Sequence, residues 1–275
     1  MQKLSLVDET FDINLTSEYL LSIQVSLDGF SFSILDSIQN KVVFLYHQDT
    51  FTTEPDFNLK KIKSVFDETD VLGFPYKKIR IYYSSPEKTT LVPPEIFRPE
   101  QLPDFYNITF GIDDHNEIRH SFIQSLNNYA IYGINKLLLS FLKEKYPEIE
   151  IQHELALSGY NLQNGKTIIK IRILRKKMEI IITGKKTSFY NSFSYEGEND
   201  MLYYILGVAK NLEEQPESII LDGLVNKHSE IYHRLRQYFS HVSIMEYNSS
   251  VNYSYLIDRL PDARFCNLFN SFSCA

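Results

Sequence analysis

Leu20-Leu21-Ser22-Ile23-Gln24-Val25-Ser26-Leu27-Asp28-Gly29-Phe30-Ser31-Phe32-Ser33-Ile34-Leu35-Asp36 reads as two strands joined by a tight turn. Leu21, Ile23, Val25 and Leu27 alternate with polar neighbours, the period of a half-buried strand. Asp28-Gly29 is a strong short hairpin signal, because turn positions with positive φ favour Asp and Gly. Phe30, Phe32 and Ile34 then share one face of the return strand. Residues 37–40 turn the chain again, and 42–47 form a third strand. Residues 59–68 place Leu59, Ile62, Val65 and Phe66 at helical spacing, and a fourth strand follows at 78–83. The polar, acidic stretch before Thr16 is expected to be an arm or edge piece.

The second half repeats this order at an offset of roughly 145 residues. Strands are expected at 167–173, 178–183 and 186–195, with Arg175-Lys176-Lys177 turning between the first two. A helix over 200–211 buries Leu202, Ile205, Leu206 and Ala209, and Pro216 lies in the break after it. A buried strand at 219–221, a helix over about 227–239 and a strand at 242–247 complete the half.

Between the halves the pattern changes. Strands are expected at 106–112 and 129–134, with a third over 118–126. Asn135 is placed to cap a helix whose stripe is Leu137, Leu138, Phe141 and Leu142. Pro147 ends it, and 150–157 is extended. Pro86, Pro93, Pro94, Pro99 and Pro103 predict a loop-rich approach.

The chain has 275 residues, 43% hydrophobic and 23% charged, enough for a sizeable core in one or two domains. Its 28 basic and 35 acidic residues give a formal charge of −7, which argues against nucleic acid or an anionic membrane as the main partner. No apolar run approaches the length of a bilayer span, so the protein is expected not to be transmembrane. Cys266 and Cys274 form no disulfide framework and no zinc set, and a reducing cytoplasmic setting is expected.

A three-stranded meander followed by helix and strand, used twice, resembles the ribonuclease-H-like unit of the actin superfamily. The middle segments 108–112, 128–146 and 149–157 resemble the inserted subdomain of the bacterial cell-division actin and of its pilus-assembly and type II secretion relatives. Thr90-Leu91-Val92-Pro93-Pro94-Glu95-Ile96-Phe97 and residues 128–134 resemble an uncharacterised Bacteroidetes family with an actin-like fold. The resemblance implies a mixed α/β, duplicated, actin-like ATPase fold with an inserted α+β subdomain. It implies a first lobe over 1–150, including an insertion at about 86–150, and a second lobe over 151–254. A C-terminal helix within 255–275 would then return to the first lobe.

Actin-like ATPases hold phosphates and Mg²⁺ on two hairpin turns, where carboxylates orient metal-bound water and backbone amides bond the phosphates. The first turn here has Asp28 and Gly29 adjacent, and the second, Leu174 to Met178, has neither Asp nor Gly. The adenine loop of the resembled family uses a glycine pair, whereas Leu221-Asp222-Gly223-Leu224 keeps one. Asp28, Gly29, Asp222 and Gly223 are therefore the candidate nucleotide contacts, with Asp36 and Glu196 as further cleft acids. The expected function is a non-catalytic interaction or assembly scaffold, with no cofactor, no catalytic residue, no metal and a protein partner. The oligomeric state is left open. The alternative is a divergent nucleotide-binding ATPase, and a third reading is a small-molecule or peptide binder using the cleft.

Other motifs fail on spacing. Gly159 to Thr167 has five residues between its glycines where a P-loop needs four, and it leads into a strand. His153-Glu154 lacks a second His at Leu157, and Ser158 lacks the glycines of a nucleophile elbow. Asp113, Asp114, His115 and Glu117 carry oxygens that could bind a metal, but a polar turn between strands is the commoner reading. Phe265, Leu268, Phe269 and Phe272 fall at i, i+3, i+4 and i+7, a one-sided helix for packing or docking. Cys266 is expected to be partly shielded and Cys274 open.

Overall fold

The structure is a computed structural model that describes residues 3–26, 28–49, 55–159, 166–184, 188–261 and 263–272. The first sheet is seven-stranded. Its meander is β2 (Tyr19–Val25), β3 (Gly29–Asp36) and β4 (Lys41–Asp49), edged by β1 (Lys3–Val7), which pairs antiparallel with β4. Helix α1 (Pro55–Glu68) crosses to β5 (Lys78–Tyr83), which lies parallel to β2.

The inserted elements come next. Strand β6 (Thr89–Val92), helix α2 (Leu102–Phe110), β7 (Asn116–Ile123) and β8 (Asn128–Asn135) form a three-stranded antiparallel sheet with a covering helix. Helix α3 (Lys136–Lys145) then returns the chain to β9 (Ile151–His153), parallel to β5. Asn135 caps α3, its side-chain oxygen accepting from the Leu137 and Leu138 amides at 3.0 and 3.1 Å.

The second sheet repeats the plan. Strands β10 (Ile168–Leu174), β11 (Lys177–Thr183) and β12 (Ser188–Ser194) form the meander. Helix α4 (Glu198–Lys210) leads to β13 (Ser218–Gly223), parallel to β10, and α5 (Glu230–Leu235) leads to β14 (Val242–Ile244), parallel to β13. The order β4-β3-β2-β5-β9 in one sheet is therefore matched by β12-β11-β10-β13-β14 in the other. The chain closes with β15 (Asn252–Tyr253), which pairs with β4, and with α6 (Tyr255–Asp258) and α7 (Cys266–Asn270).

Strand alternation divides each sheet into two chemically different faces. In the first, Leu21, Ile23, Phe30, Phe32, Ile34 and Ile81 bury against Ile62 and Val65 of α1 and against Leu138, Leu139, Phe141 and Leu142 of α3. In the second, Ile169, Ile171, Ile180, Ile182, Ile219 and Leu221 bury against Met201, Leu202 and Ile205 of α4 and Ile231 and Leu235 of α5. The opposite faces carry Ser22, Gln24, Ser31 and Ser33 in the first sheet and Lys170, Arg172, Glu179 and Asp222 in the second, and these too are buried.

Five expectations need correction. Residues 106–112, read as a strand, belong to helix α2 and the turn after it. The aromatic and β-branched residues of α2 favour a strand locally, but burial of Tyr106 beside Val92, Phe97 and Ile131 overrides that preference. The Pro-rich approach contains β6. The helix read over 227–239 is regular only over Glu230–Leu235. Leu137 is exposed, and Leu139 takes its place on the buried stripe of α3. Gly29 is not a turn residue: it exchanges backbone hydrogen bonds with Ser26 at 3.0 and 3.3 Å and so opens β3. A side chain on Gly29 would meet the Gln48 carbonyl oxygen at 2.3 Å.

Candidate functional site

The two meander hairpins point at each other, and their tips are bonded directly. The Asp28 carboxylate accepts the Arg175 backbone N–H at 2.7 Å. The Arg175 guanidinium donates to Asp49 at 3.0 Å. Asp49 in turn meets His47 Nε2 at 3.0 Å, and His47 Nδ1 meets the Ser31 hydroxyl at 2.8 Å. Ser31 lies opposite His47 in the β3–β4 ladder and is buried, so this Ser–His–Asp line braces the hairpin from within. Burial pushes the Asp28 carboxyl above its ordinary range, against the Arg175 amide and the charges of Arg172, Arg175 and Arg264.

Deeper between the sheets, Lys170 and Arg172 leave the same face of β10. Lys170 Nζ lies 3.3 Å from Asp222 and donates to Asn267 at 3.1 Å. Arg172 pairs with Glu154, which also accepts from Gln24 at 2.8 Å and from Asn267 at 2.9 Å. Glu154 lies in the 3₁₀ turn Glu154–Leu157 that follows β9. Beside Arg172, Glu179 accepts the Tyr190 hydroxyl at 2.6 Å, and burial pushes its carboxyl up against the pull of Arg172. Charges this deep persist only when paired and hydrogen-bonded.

His153 borders this network. Its Nδ1 accepts the Leu155 amide at 3.1 Å, which leaves Nε2 as the protonated nitrogen facing Thr89 Oγ1 at 2.9 Å. Burial first, and the Arg172 charge second, push its pKa down to about 3. The unfolded chain binds this proton near pH 6.5 and the folded chain does not. The resulting stability is therefore full above that pH and is lost as pH falls toward the folded value. Between about pH 6.5 and pH 5 the His153 contribution is expected to fall by about 2 kcal/mol. Asp28 and Glu179, with raised values, shift stability the opposite way. The check is therefore the difference in urea-unfolding free energy between wild type and His153→Gln across that range. Parallel profiles would show that the ring takes up a proton without unfolding.

The structure brings Asp28 and Asp222 to the buried space between the sheets, Asp28 at the hairpin tips and Asp222 beside Lys170. Gly223 takes φ +87°, and its Cβ position lies 2.2 Å from the Ile173 carbonyl oxygen, so it is packed against β10. Asp36 is elsewhere, accepting the Ile38 and Gln39 amides in its own turn. Glu196 is also elsewhere, in a surface pair with Lys176. Asp113 accepts from Lys88, His115 and Asn116 as a turn residue does.

Phe265, Leu268, Phe269 and Phe272 are all buried, packed with Leu35, Val42 and Leu45 on the first sheet. Helix α7 is five residues long and covered on every side, because Cys266 and Asn267 face the second sheet. The expected one-sidedness is therefore absent. Cys266 is fully buried, and Cys274 lies outside the described residues.

None of His47, Asp49, Lys170, Arg172 and Asn267 belongs to a recognisable sequence motif, and Glu154 appears only in an incomplete His-Glu motif. Lys170 and Arg172 carried a visible signal, two cations alternating within Ile168-Ile169-Lys170-Ile171-Arg172-Ile173 in the central strand of a sheet. Cavities of about 1090 and 490 Å³ are lined by neither Asp28 nor Arg175. The larger follows β5 and the end of α3; the smaller lies between β6, α2 and β12. None of the described helices is long and apolar enough to cross a membrane.

Among solved structures, a Bacteroides thetaiotaomicron protein with actin-like ATPase fold and unknown function superposes with a TM-score of 0.76 at 25% identity. That match covers 86% of this chain and 94% of the other. A chain of the PilM–PilN type IV pilus biogenesis complex superposes with a TM-score of 0.57 at 9% identity, covering 91% and 95%. The cytoplasmic domain of EpsL, an inner-membrane component of the Vibrio cholerae type II secretion system, gives 0.49 at 8% identity, covering 93% and 94%. No curated protein matches the chain. A family model described as protein of unknown function, DUF3822, matches residues 8–242. With duplicated mixed sheets around a closed polar interface, the chain has the actin-like ATPase fold and belongs to the DUF3822 family.

Proposed function

We propose that this protein is a non-catalytic, two-lobed interaction or assembly scaffold whose central cleft is closed by its own side chains. The observation that carries this reading is the bond between the Asp28 carboxylate and the Arg175 amide. Nucleotide is the ligand that the fold implies, and the residues at the two turns do not fit it. An amide of the second turn, available in a phosphate cradle, is consumed by a carboxylate of the first. Lys170, Arg172, Glu154 and Asp222 neutralise one another in the space beneath. Gly223 is packed against β10, with its Cβ position filled by the Ile173 carbonyl. A protein partner accords with the PilM relative, which is found in a complex with PilN.

Thermal melting with millimolar Mg–ATP tests the reading. Ligand at a hundredfold excess over its dissociation constant stabilises a fold by about 2.7 kcal/mol, a shift of several degrees for a chain of this size. No shift is expected. A clear rise abolished by Asp28→Ala would replace the scaffold with a divergent nucleotide-binding ATPase.

A further inference from the structure

We propose that residues 263–272 are a strap that sets the closure of the two sheets, the role a bound ligand plays in a two-lobed binder. The segment has two differently built sides. Toward the first sheet, Phe265, Leu268, Phe269 and Phe272 pack on Leu35, Val42 and Leu45, and the Ser271 and Ser22 hydroxyls are hydrogen-bonded at 2.7 Å. Arg80, from β5, donates to the Ser271 carbonyl. Toward the second sheet, Ala263 forms a bridge with Gly223 and donates to the Val225 carbonyl at 3.3 Å. Cys266 packs with Met245 and donates to its carbonyl at 3.4 Å.

Asn267 is the joint between the sides. Its carbonyl oxygen accepts from Lys170 of the second sheet. Its amide nitrogen donates to Glu154, which Gln24 of the first sheet also holds. One neutral side chain thus satisfies a buried cation and a buried anion attached to different sheets. Both ions depend on it for a hydrogen bond that water cannot supply at this depth. Without the strap, the sheets stay joined through the inserted elements, where Leu126, Ala130 and Leu155 pack on Ile181, and through the polar links at the hairpin tips and Glu154. That apolar contact is the hinge about which the polar tip links open.

The test uses the full chain with Asn267→Ala and with Asn267→Leu, which keeps most of the volume while removing both hydrogen bonds. Hydrogen exchange is followed by mass spectrometry and overall dimensions by small-angle scattering. Exchange is expected to rise about tenfold at the two hairpin tips, residues 25–30 and 173–177, with β3 and β11 centres unchanged and the radius of gyration increased. Where Asn267→Ala is too unstable to measure, Asn267→Leu and the milder Ser271→Ala give the reading. Faster exchange confined to 263–272, with tips and dimensions unchanged, would overturn the strap and leave a local packing element. The proposal rests on the scaffold reading for the statement that no ligand is needed, and the two fail separately. A Mg–ATP melting shift in the wild-type chain overturns the scaffold, whereas unchanged tips in the variants overturn the strap.

Discussion

Arg172→Met is expected to destabilise the protein by about 3–5 kcal/mol at neutral pH. The guanidinium and the Glu154 carboxylate are each at most 5% exposed. Removing the cation leaves a buried anion whose remaining donors, among the described residues, are the Gln24 and Asn267 amides. Glu179 loses its main opposing charge as well, so its carboxyl rises further toward the protonated form. The double variant Arg172→Met/Glu154→Gln keeps the acceptor for both amides and removes the orphaned charge. It is expected to recover at least half of the loss, a coupling that a double-mutant cycle isolates. Urea unfolding of the four proteins at pH 7 measures it. A single-variant loss below about 1 kcal/mol would mean that water reaches Glu154 and that the network is not sealed.

Phe269→Ala is expected to cost a similar amount, about 3–5 kcal/mol, by a different route. The ring is fully buried, with Tyr247 edge-on at 5.0 Å and Tyr253 at 5.2 Å. Its neighbours Leu35, Val42 and Leu45 sit on a sheet that cannot collapse into the gap without breaking its ladder. Phe272, at 7% exposure, lies nearer the rim, so Phe272→Ala should cost less. Equal and small losses from both would show that the segment is not seated on the first sheet. Calorimetric melting of the two variants decides this.

What the sequence made legible follows from how local each signal is. The two meanders are written in strand alternation and tight turns, and the register of each hairpin follows from its own few residues. The Asn135 cap is equally local, an oxygen reaching amides two and three residues on. The sequence of helix α2 reads locally as a strand because Tyr106 to Phe110 is aromatic and β-branched, although Pro103 in its first turn is a helix-start signal that favours the observed state. The candidate site was legible only in part. Asp28 and Asp222 could be placed by analogy of turns, but their partners could not. Asn267 and Glu154 are separated by 113 positions, and nothing near either residue announces the other. Only the topology, which sets β9 and α7 beside β10, makes them neighbours.

The same separation constrains the order of folding. Ser271 bonds Ser22 across 249 positions, and Phe269 covers a face formed by residues near 35–45. Loop closure on this scale is slow compared with closing a hairpin, and the entropy is lost before the contact returns any stabilisation. The first meander can therefore zip up while Leu35, Val42 and Leu45 still face water. Until the far end of the chain arrives, an apolar patch stays open on an otherwise complete sheet, the kind of surface on which nascent chains aggregate and chaperones bind.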